Sequence, residues 1–320
     1  MPTLPAMRTI VTHAKPPQGQ AAPTALQLPH LSALLRLLTP GPRQTQEEDS
    51  LSPLHELLQA QALGLQAPDG LLPWAALQAH ALQLPKAQAG QGWAWLTPCH
   101  WQVNTDHVRM ADPADCDISP AESHTVMESL RAFLLEDGIT LYGLQPGGNW
   151  LASGTAFHNL PTASLERAGG GAVDHWLPRQ AQAQPLRRLQ NEMQMLLYTH
   201  PVNDARAARS LLPVNSFWVS GTGTLPAEFQ SEPDADILLL DSLREPSRCN
   251  DASTWAQAWQ ALDAGPLMTL LERARRGEPV KLILCGDSAA QSFSLQPQGL
   301  WARIRQRFAA TDVSALLQSL

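Results

Sequence analysis

The chain has 320 residues, of which 44% are hydrophobic and only 16% charged, and it carries a formal net charge of −7. This length accommodates two domains, and this composition fills a core and excludes a disordered chain. The acidic balance provides no global basic field, so neither nucleic acid nor an anionic membrane surface is an expected partner.

No apolar run reaches the length of about 18 residues that a membrane-spanning helix needs, so no membrane association is expected. The first residues show no apolar leader with a small-residue cleavage site, which implies a cytoplasmic protein. Cys99, Cys116, Cys249 and Cys285 are widely spaced and form no C-x-x-C pair, so a cysteine zinc site is not expected and reduced thiols are. Ten tryptophans stand against two tyrosines. Trp93, Trp95 and Trp101 cluster, as do Trp255 and Trp259. Such residues anchor either a core or a protein-binding surface.

The first predicted element is a β-like run at Thr9–Thr12. Leu31, Leu34, Leu35 and Leu38 share one face of a helix predicted from Pro29 to Leu38. Gly41–Ser50 is polar and reads as a loop. Ser52-Pro53 then has the form of an N-cap followed by proline, opening a helix that stops at Gly64, and a short helix follows from Pro73 to Leu82. Trp93–Val103 is β-rich. Ser119-Pro-Ala-Glu122 is a capping box, and its helix runs to Gly138. Ile139–Leu144 and Asn149–Ala152 read as strands on either side of Gln145-Pro-Gly-Gly148, a hairpin turn. Gly169–Gly171 is a flexible loop or a phosphate cradle. Pro185–Tyr198 is an amphipathic helix.

Beyond residue 230, Asp236–Asp241 is an apolar run ending in an acid. A helix carrying Trp255 and Trp259 follows, and then Val280–Cys285 leads into Gly286-Asp287. Strand, helix, strand, with an acid closing each strand, is the pattern of a parallel α/β sheet, whose ligands bind beyond the carboxyl ends of the strands. Arg273, Arg275 and Arg276 fall near a helix C-terminus, where cations suit the helix dipole. A last helix is predicted at Gly299–Phe308.

The most specific stretch is His200-Pro-Val-Asn203-Asp204-Ala-Arg206, followed by Pro213-Val-Asn215 and Gly221-Thr-Gly223. It resembles the archaeal-type cofactor-independent phosphoglycerate mutases of the alkaline phosphatase-like superfamily, and a degenerate proteobacterial branch of mutase-like or regulatory proteins. The resemblance covers most of the chain in outline and is specific in detail only over residues 200–223. It implies an α/β fold, an alkaline phosphatase-like core with a mainly parallel sheet plus a smaller inserted α+β domain. Residues 1–90 and 200–320 would form the core and 91–199 the insert.

The resemblance also implies two divalent metals held by aspartates and histidines beside a serine or threonine nucleophile. Two metals stabilise both the attacking and the leaving oxygen of a displacement. The first strand, which ends in Asp-Gly in that family, here runs Ile10-Val11-Thr12-His13. No histidine closely follows Asp241, and Ser288 follows Asp287 where the family has histidine. Asp241 and Asp287 are therefore expected to be vestigial ligands, too few for two transition metals. Three functions follow. The first is a phosphoglycerate mutase-like pseudoenzyme, without a cofactor, acting by binding or regulation. The second is an active mutase or phosphatase in which His13, His200, Asp204, Asp241 and Asp287 hold Mn, Zn or Mg. The third is a regulatory protein of a signalling pathway.

His200, Asn203, Arg206, Asn215, Gly221 and Gly223 are candidates to line a cleft and grip a phosphorylated or carboxylate ligand, arginine being suited to paired contacts with such anions. The same residues equally serve to tie loops together, with the glycines permitting positive φ. A protein partner on the tryptophan-rich insert is a further expectation. His100, Asp106 and His107 are read as loop residues rather than metal ligands. Asp112, Asp115 and Asp117 lack the glycine and terminal glutamate of a calcium loop.

Overall fold

In the computed structural model the described residues are 7–20, 26–85, 87, 90–144, 148–226, 229, 237–296 and 312–320. The strands are β1 (Met7–Val11), β2 (Thr39–Thr45), β3 (Trp93–Cys99), β4 (Trp101–Val103), β5 (Val108–Met110), β6 (Thr140–Gly143), β7 (Trp150–Ser153), β8 (Ser216–Gly223), β9 (Ile237–Leu240), β10 (Val280–Cys285) and β11 (Ala289–Ser294). The helices are α1 (Pro29–Leu35), α2 (Leu54–Ala62), α3 (Trp74–Ala81), α4 (Pro120–Glu136), α5 (Leu165–Ala168), α6 (Gln184–Tyr198), α7 (Pro201–Ala207), α8 (Arg244–Arg248), α9 (Ala252–Leu262), α10 (Met268–Arg275) and α11 (Val313–Ser319). The helix expected at Gly299–Phe308, the turn at Gln145–Gly147 and Asp236 lie outside the described residues.

The chain divides into two compact units: Met1–Asp49, Leu54–Leu65 and Ser231–Leu320 form the first, and Ser50–Pro53 with Gln66–Gln230 the second. Residues 66–90 and 200–230, expected with the core, thus fall in the second unit, because β8 pairs with β3 and α3 packs on both strands.

The first unit holds a five-stranded sheet in the order β2-β11-β10-β1-β9. β1 is parallel to both β9 and β10, whereas β11 runs antiparallel to β10 and β2 antiparallel to β11. The sheet is therefore mixed, not mainly parallel as expected. Gly286–Ser288 turns the chain straight back into β11, and a connection that short can only join antiparallel neighbours. Gly41–Thr45, expected as part of a loop, belongs to the edge strand β2 despite Pro42, with Pro40 just before it, and the edge is where a sheet tolerates proline.

Side-chain alternation divides the first unit's core. Val11, Leu282 and Leu284 join Leu31, Leu34, Trp255, Trp259 and Leu271 on one face of the sheet. Ile10, Ile283 and Cys285 meet Leu54 and Leu58 of α2 on the other. Period-two alternation of apolar residues on strands covered on both faces accounts for the continuous Val280–Cys285 run.

The second unit holds an antiparallel sheet in the order β6-β7-β3-β8 and a hairpin of β4 and β5. Leu96, Trp150, Phe217 and Val219 pack with the apolar faces of α4 and α6. α4 begins at the expected capping box: the Ser119 hydroxyl accepts from Glu122 N, and Glu122 accepts from Ser119 N. Trp93, Trp101, Trp150 and Trp218 are buried, and the Trp218 indole donates to the Ala163 carbonyl at 3.0 Å. These tryptophans are core residues. Among the described residues, no helix is long and apolar enough to cross a membrane.

Candidate functional site

In the first unit the carboxyl ends of β9, β1 and β10 lie side by side. The chain stays locked to both neighbours past the end of β1, with Thr12 N donating to the Leu240 carbonyl at 3.0 Å and Ala14 N to the Cys285 carbonyl at 2.8 Å. The buried Thr12 hydroxyl donates to the Leu240 carbonyl at 3.4 Å and lies 3.0 Å from His13 Nδ1. His13 has φ +53°, a left-handed conformation that costs a non-glycine residue energy and marks places where surrounding structure imposes it. That structure includes the Trp255 indole, which donates to the His13 carbonyl at 3.1 Å. The His55 ring of α2 lies 5.5 Å from that of His13, centre to centre.

Asp241 and Asp287 are both exposed at these strand ends. β1 lies between β9 and β10, so two strand spacings, about 9.6 Å of backbone, separate the strands that deliver the two acids. The Ser288 hydroxyl donates to the Leu320 carbonyl at 3.4 Å. A Cβ on Gly286 would come within 2.7 Å of Leu320, so the turn after β10 closes tightly. Among the described residues, no three His, Cys, Asp or Glu side chains gather where they could hold a metal ion. The described side chains alone thus do not supply the dinuclear centre implied by the family resemblance. His200 and Asp204, the other proposed donors, belong to the second unit.

In the second unit the 200–223 stretch has well-defined partners. His200 caps α7: its Nδ1 accepts from Val202 N at 3.2 Å, which places the proton on Nε2, 2.9 Å from the Ser129 hydroxyl. Asn203 donates to the carbonyls of Leu197 and Val214 at 2.8 and 2.9 Å and accepts from Val214 N at 2.8 Å. Asn215 accepts from Trp101 N at 2.7 Å and donates to the Trp101 carbonyl at 2.9 Å, continuing the ladder with a side chain. Arg206 is fully buried. It donates to the carbonyls of Leu212 at 2.7 Å, Asp117 at 3.3 Å and Cys116, and to Glu122 Oε2 at 3.0 Å. Gly221, at φ +62°, faces the Trp95 ring, and Gly223, at φ +135°, faces the Leu71 carbonyl. The amide and guanidinium groups offered as anion contacts are thus bonded to the unit's own backbone and to Glu122.

Burial alone would raise the Glu122 carboxyl. The bonds from Ser119 N and its hydroxyl, with Arg206 and Arg209, hold it below the usual glutamate value instead. Burial pushes the Cys99 thiol well up, and the neighbouring Cys116 adds to this.

No family model matches the chain, and no curated protein sequence does. Among solved structures it is similar to the PH0037 protein of Pyrococcus horikoshii, with TM-score 0.49 and 11% identity over 92% of this chain and 88% of that one. It is also similar to the cofactor-independent phosphoglycerate mutase of Thermoplasma acidophilum, with TM-score 0.38 and 14% identity over 92% of this chain and 91% of that one.

The remaining sequence candidates have local partners. His100 Nδ1 lies 2.9 Å from the Pro213 carbonyl, and His107 Nδ1 lies 2.7 Å from Asp106, so the three do not converge. Asp112 caps a 3-10 turn by accepting from Ala114 N, and Asp117 closes that turn in the left-handed region. In the glycine loop, the Gly170 carbonyl accepts from Arg109 and the Gly171 carbonyl from Met110 N. Arg273 and Arg276 both pair with Glu278. Sequence reasoning missed His55: it follows the Ser-Pro helix start, but nothing local links it to His13.

Proposed function

We propose that this chain is a phosphoglycerate mutase-like protein that has lost metal-dependent phosphotransfer and acts by binding, in a regulatory role. In this reading the first unit is an alkaline phosphatase-like core and the second is the inserted domain. The resemblance over residues 200–223 supports the ancestry. The absence of a three-donor cluster among the described residues supports the loss and is the observation that carries the reading. Phosphoryl transfer of this type relies almost entirely on positioning and charge neutralisation. A strand end offering a buried threonine hydroxyl and two acids on non-adjacent strands supplies neither at the level a dinuclear site does. The ligand class favoured by ancestry is a small phosphorylated or carboxylate anion.

The test is a 3-phosphoglycerate to 2-phosphoglycerate assay in Mn²⁺, run alongside elemental analysis of the purified chain. Absence of turnover is the expected result. Turnover with about two metals per chain would overturn the reading and establish an active mutase with substitute donors.

A further inference from the structure

We propose that His30 is a nucleophilic histidine, held by the buried carboxylate of Asp263 so that Nε2 accepts a phosphoryl group from an acyl phosphate or a phosphoramidate. The inference goes beyond the proposed loss of phosphotransfer and stands apart from it, because it uses neither a metal nor any residue of the 200–223 stretch.

The proton arrangement is the first argument. His30 Nδ1 lies 2.9 Å from Asp263 Oδ2. A carboxylate oxygen can only accept, so Nδ1 carries the proton and Nε2 the lone pair. Nε2 has no hydrogen-bond partner among the described residues, yet it is not a buried atom, so solvent reaches it. The imidazole is 34% exposed and the carboxylate 4%. One ring nitrogen is thus fixed inside the protein while the other is offered outside.

Rigidity is the second. Asp263 opens the π-helical turn between α9 and α10, and its oxygens also accept from His30 N at 3.1 Å and Leu31 N at 2.7 Å. Those two amide bonds suffice to cap a helix. The bond to the imidazole is an addition that capping does not need, and it orients the ring. A carboxylate so placed stabilises the imidazolium that forms as the far nitrogen attacks. Its burial strengthens that attraction.

The third argument is the contrast with other histidines. His107 Nδ1 meets Asp106 at 2.7 Å, but that carboxylate is 82% exposed and Asn104 engages Nε2 at 3.1 Å. His200 spends one nitrogen on Val202 N and the other on Ser129. His100 Nδ1 is held at 2.9 Å by the Pro213 carbonyl, a neutral acceptor.

The step balances without a further reactant. With phosphoramidate, the Nε2 lone pair bonds to phosphorus, the donor's P–N bond breaks, and ammonia leaves with its electron pair. With an acyl phosphate, the P–O bond breaks and a carboxylate leaves. Nδ1 keeps its proton against Asp263, so no general base is required.

Full-length protein is incubated with phosphoramidate at neutral pH, quenched in alkali and mapped over time by peptide mass spectrometry. His30 is expected to be phosphorylated at least about tenfold faster than His100, with the adduct lost in acid and retained in alkali. Asp263→Asn keeps one acceptor oxygen and removes the charge. It is expected to slow His30 at least about tenfold while leaving His100, in the same molecule, unchanged. Circular dichroism checks the fold of the variant, and if it does not fold the wild-type ratio alone decides. No adduct on His30, equal rates at His30 and His100 in the wild type, or an unchanged His30 rate in folded Asp263→Asn overturns the proposal. Mutase turnover leaves these rates unaffected, so the two readings fail separately.

Discussion

Arg206, with no exposed surface, places Nη1 3.0 Å from Glu122 Oε2 across 84 residues of sequence. The same guanidinium holds the Cys116 and Asp117 carbonyls, and Asp117 turns left-handed at φ +45° just before α4 begins. Arg206 therefore fastens α7 to the loop that launches α4. Arg206→Ala leaves Glu122 and three carbonyls without this donor. The expected loss is about 3–5 kcal/mol, the range for breaking a buried pair. Arg206→Lys should recover little, since one ammonium cannot span a fork of four acceptors. Urea unfolding measures both. A loss below about 1 kcal/mol for the alanine variant would mean that the clamp is not structural.

The same pair makes a pH prediction. Glu122 titrates below its ordinary value in the folded chain. Its contribution to stability is therefore fully present above the unfolded glutamate pKa of about 4.3, and is lost as pH falls from there through the lower folded value. Glu122→Gln should lower the unfolding midpoint at pH 7 and flatten its decline below about pH 4.3. Parallel acid limbs in wild type and variant would refute the assignment.

Gly221 and Gly277 separate two costs. Both have positive φ, at +62° and +77°. A Cβ at Gly277 meets nothing within 4 Å, whereas one at Gly221 comes within 2.9 Å of the Trp95 ring and 3.3 Å of Trp74 Cβ. Gly277→Ala should cost only the left-handed penalty, about 1–2 kcal/mol. Gly221→Ala adds overpacking of about 1–3 kcal/mol. Equal losses in the two variants would show that the tryptophan contact yields freely.

The parts that a sequence reveals are those whose cause is local. The capping box of α4, the apolar face of α6 and the buried run of β10 depend on residues within a turn or a strand of one another, and each forms where its pattern predicts. β2 was hidden because prolines and a glycine resemble a loop until the pairing with β11 is seen. β11, Ala-Ala-Gln-Ser-Phe-Ser, has no β-branched residue to announce it, and without it the sheet reads as parallel. The strand-end acids were legible from the α/β pattern. The ring of His55, brought to His13 across 42 positions of sequence, and the carbonyls that Arg206 binds were not, because only the fold makes them neighbours.

The exposed strand-end acids carry a prediction of their own. Asp241→Asn with Asp287→Asn removes two surface charges without touching the core. The unfolding midpoint should change by less than the equivalent of about 0.5 kcal/mol. Mn²⁺ should not raise the wild-type midpoint, since an ion stabilises only the state that binds it. A Mn²⁺-dependent rise that disappears in the double variant would show that the two acids still share an ion.

Asp263 does for α1 what α1 does not do for itself. Leu28 precedes that helix and offers no side-chain cap. The buried Asp263 carboxylate instead accepts from His30 N at 3.1 Å and Leu31 N at 2.7 Å, with His30 Nδ1 at 2.9 Å. A negative charge at a helix N-terminus is favoured by the dipole, and here it arrives from the π-helical turn at Asp263–Leu267. Asp263→Ala strips the cap and leaves the buried Leu31 amide without this acceptor. The expected cost is about 1–3 kcal/mol, with Asp263→Asn intermediate because one oxygen remains. Amide hydrogen exchange at Leu31 should speed up in the alanine variant more than at Leu284 in β10, since the loss begins at α1. Uniform acceleration at both amides would assign the effect to global unfolding and remove the cap as its cause.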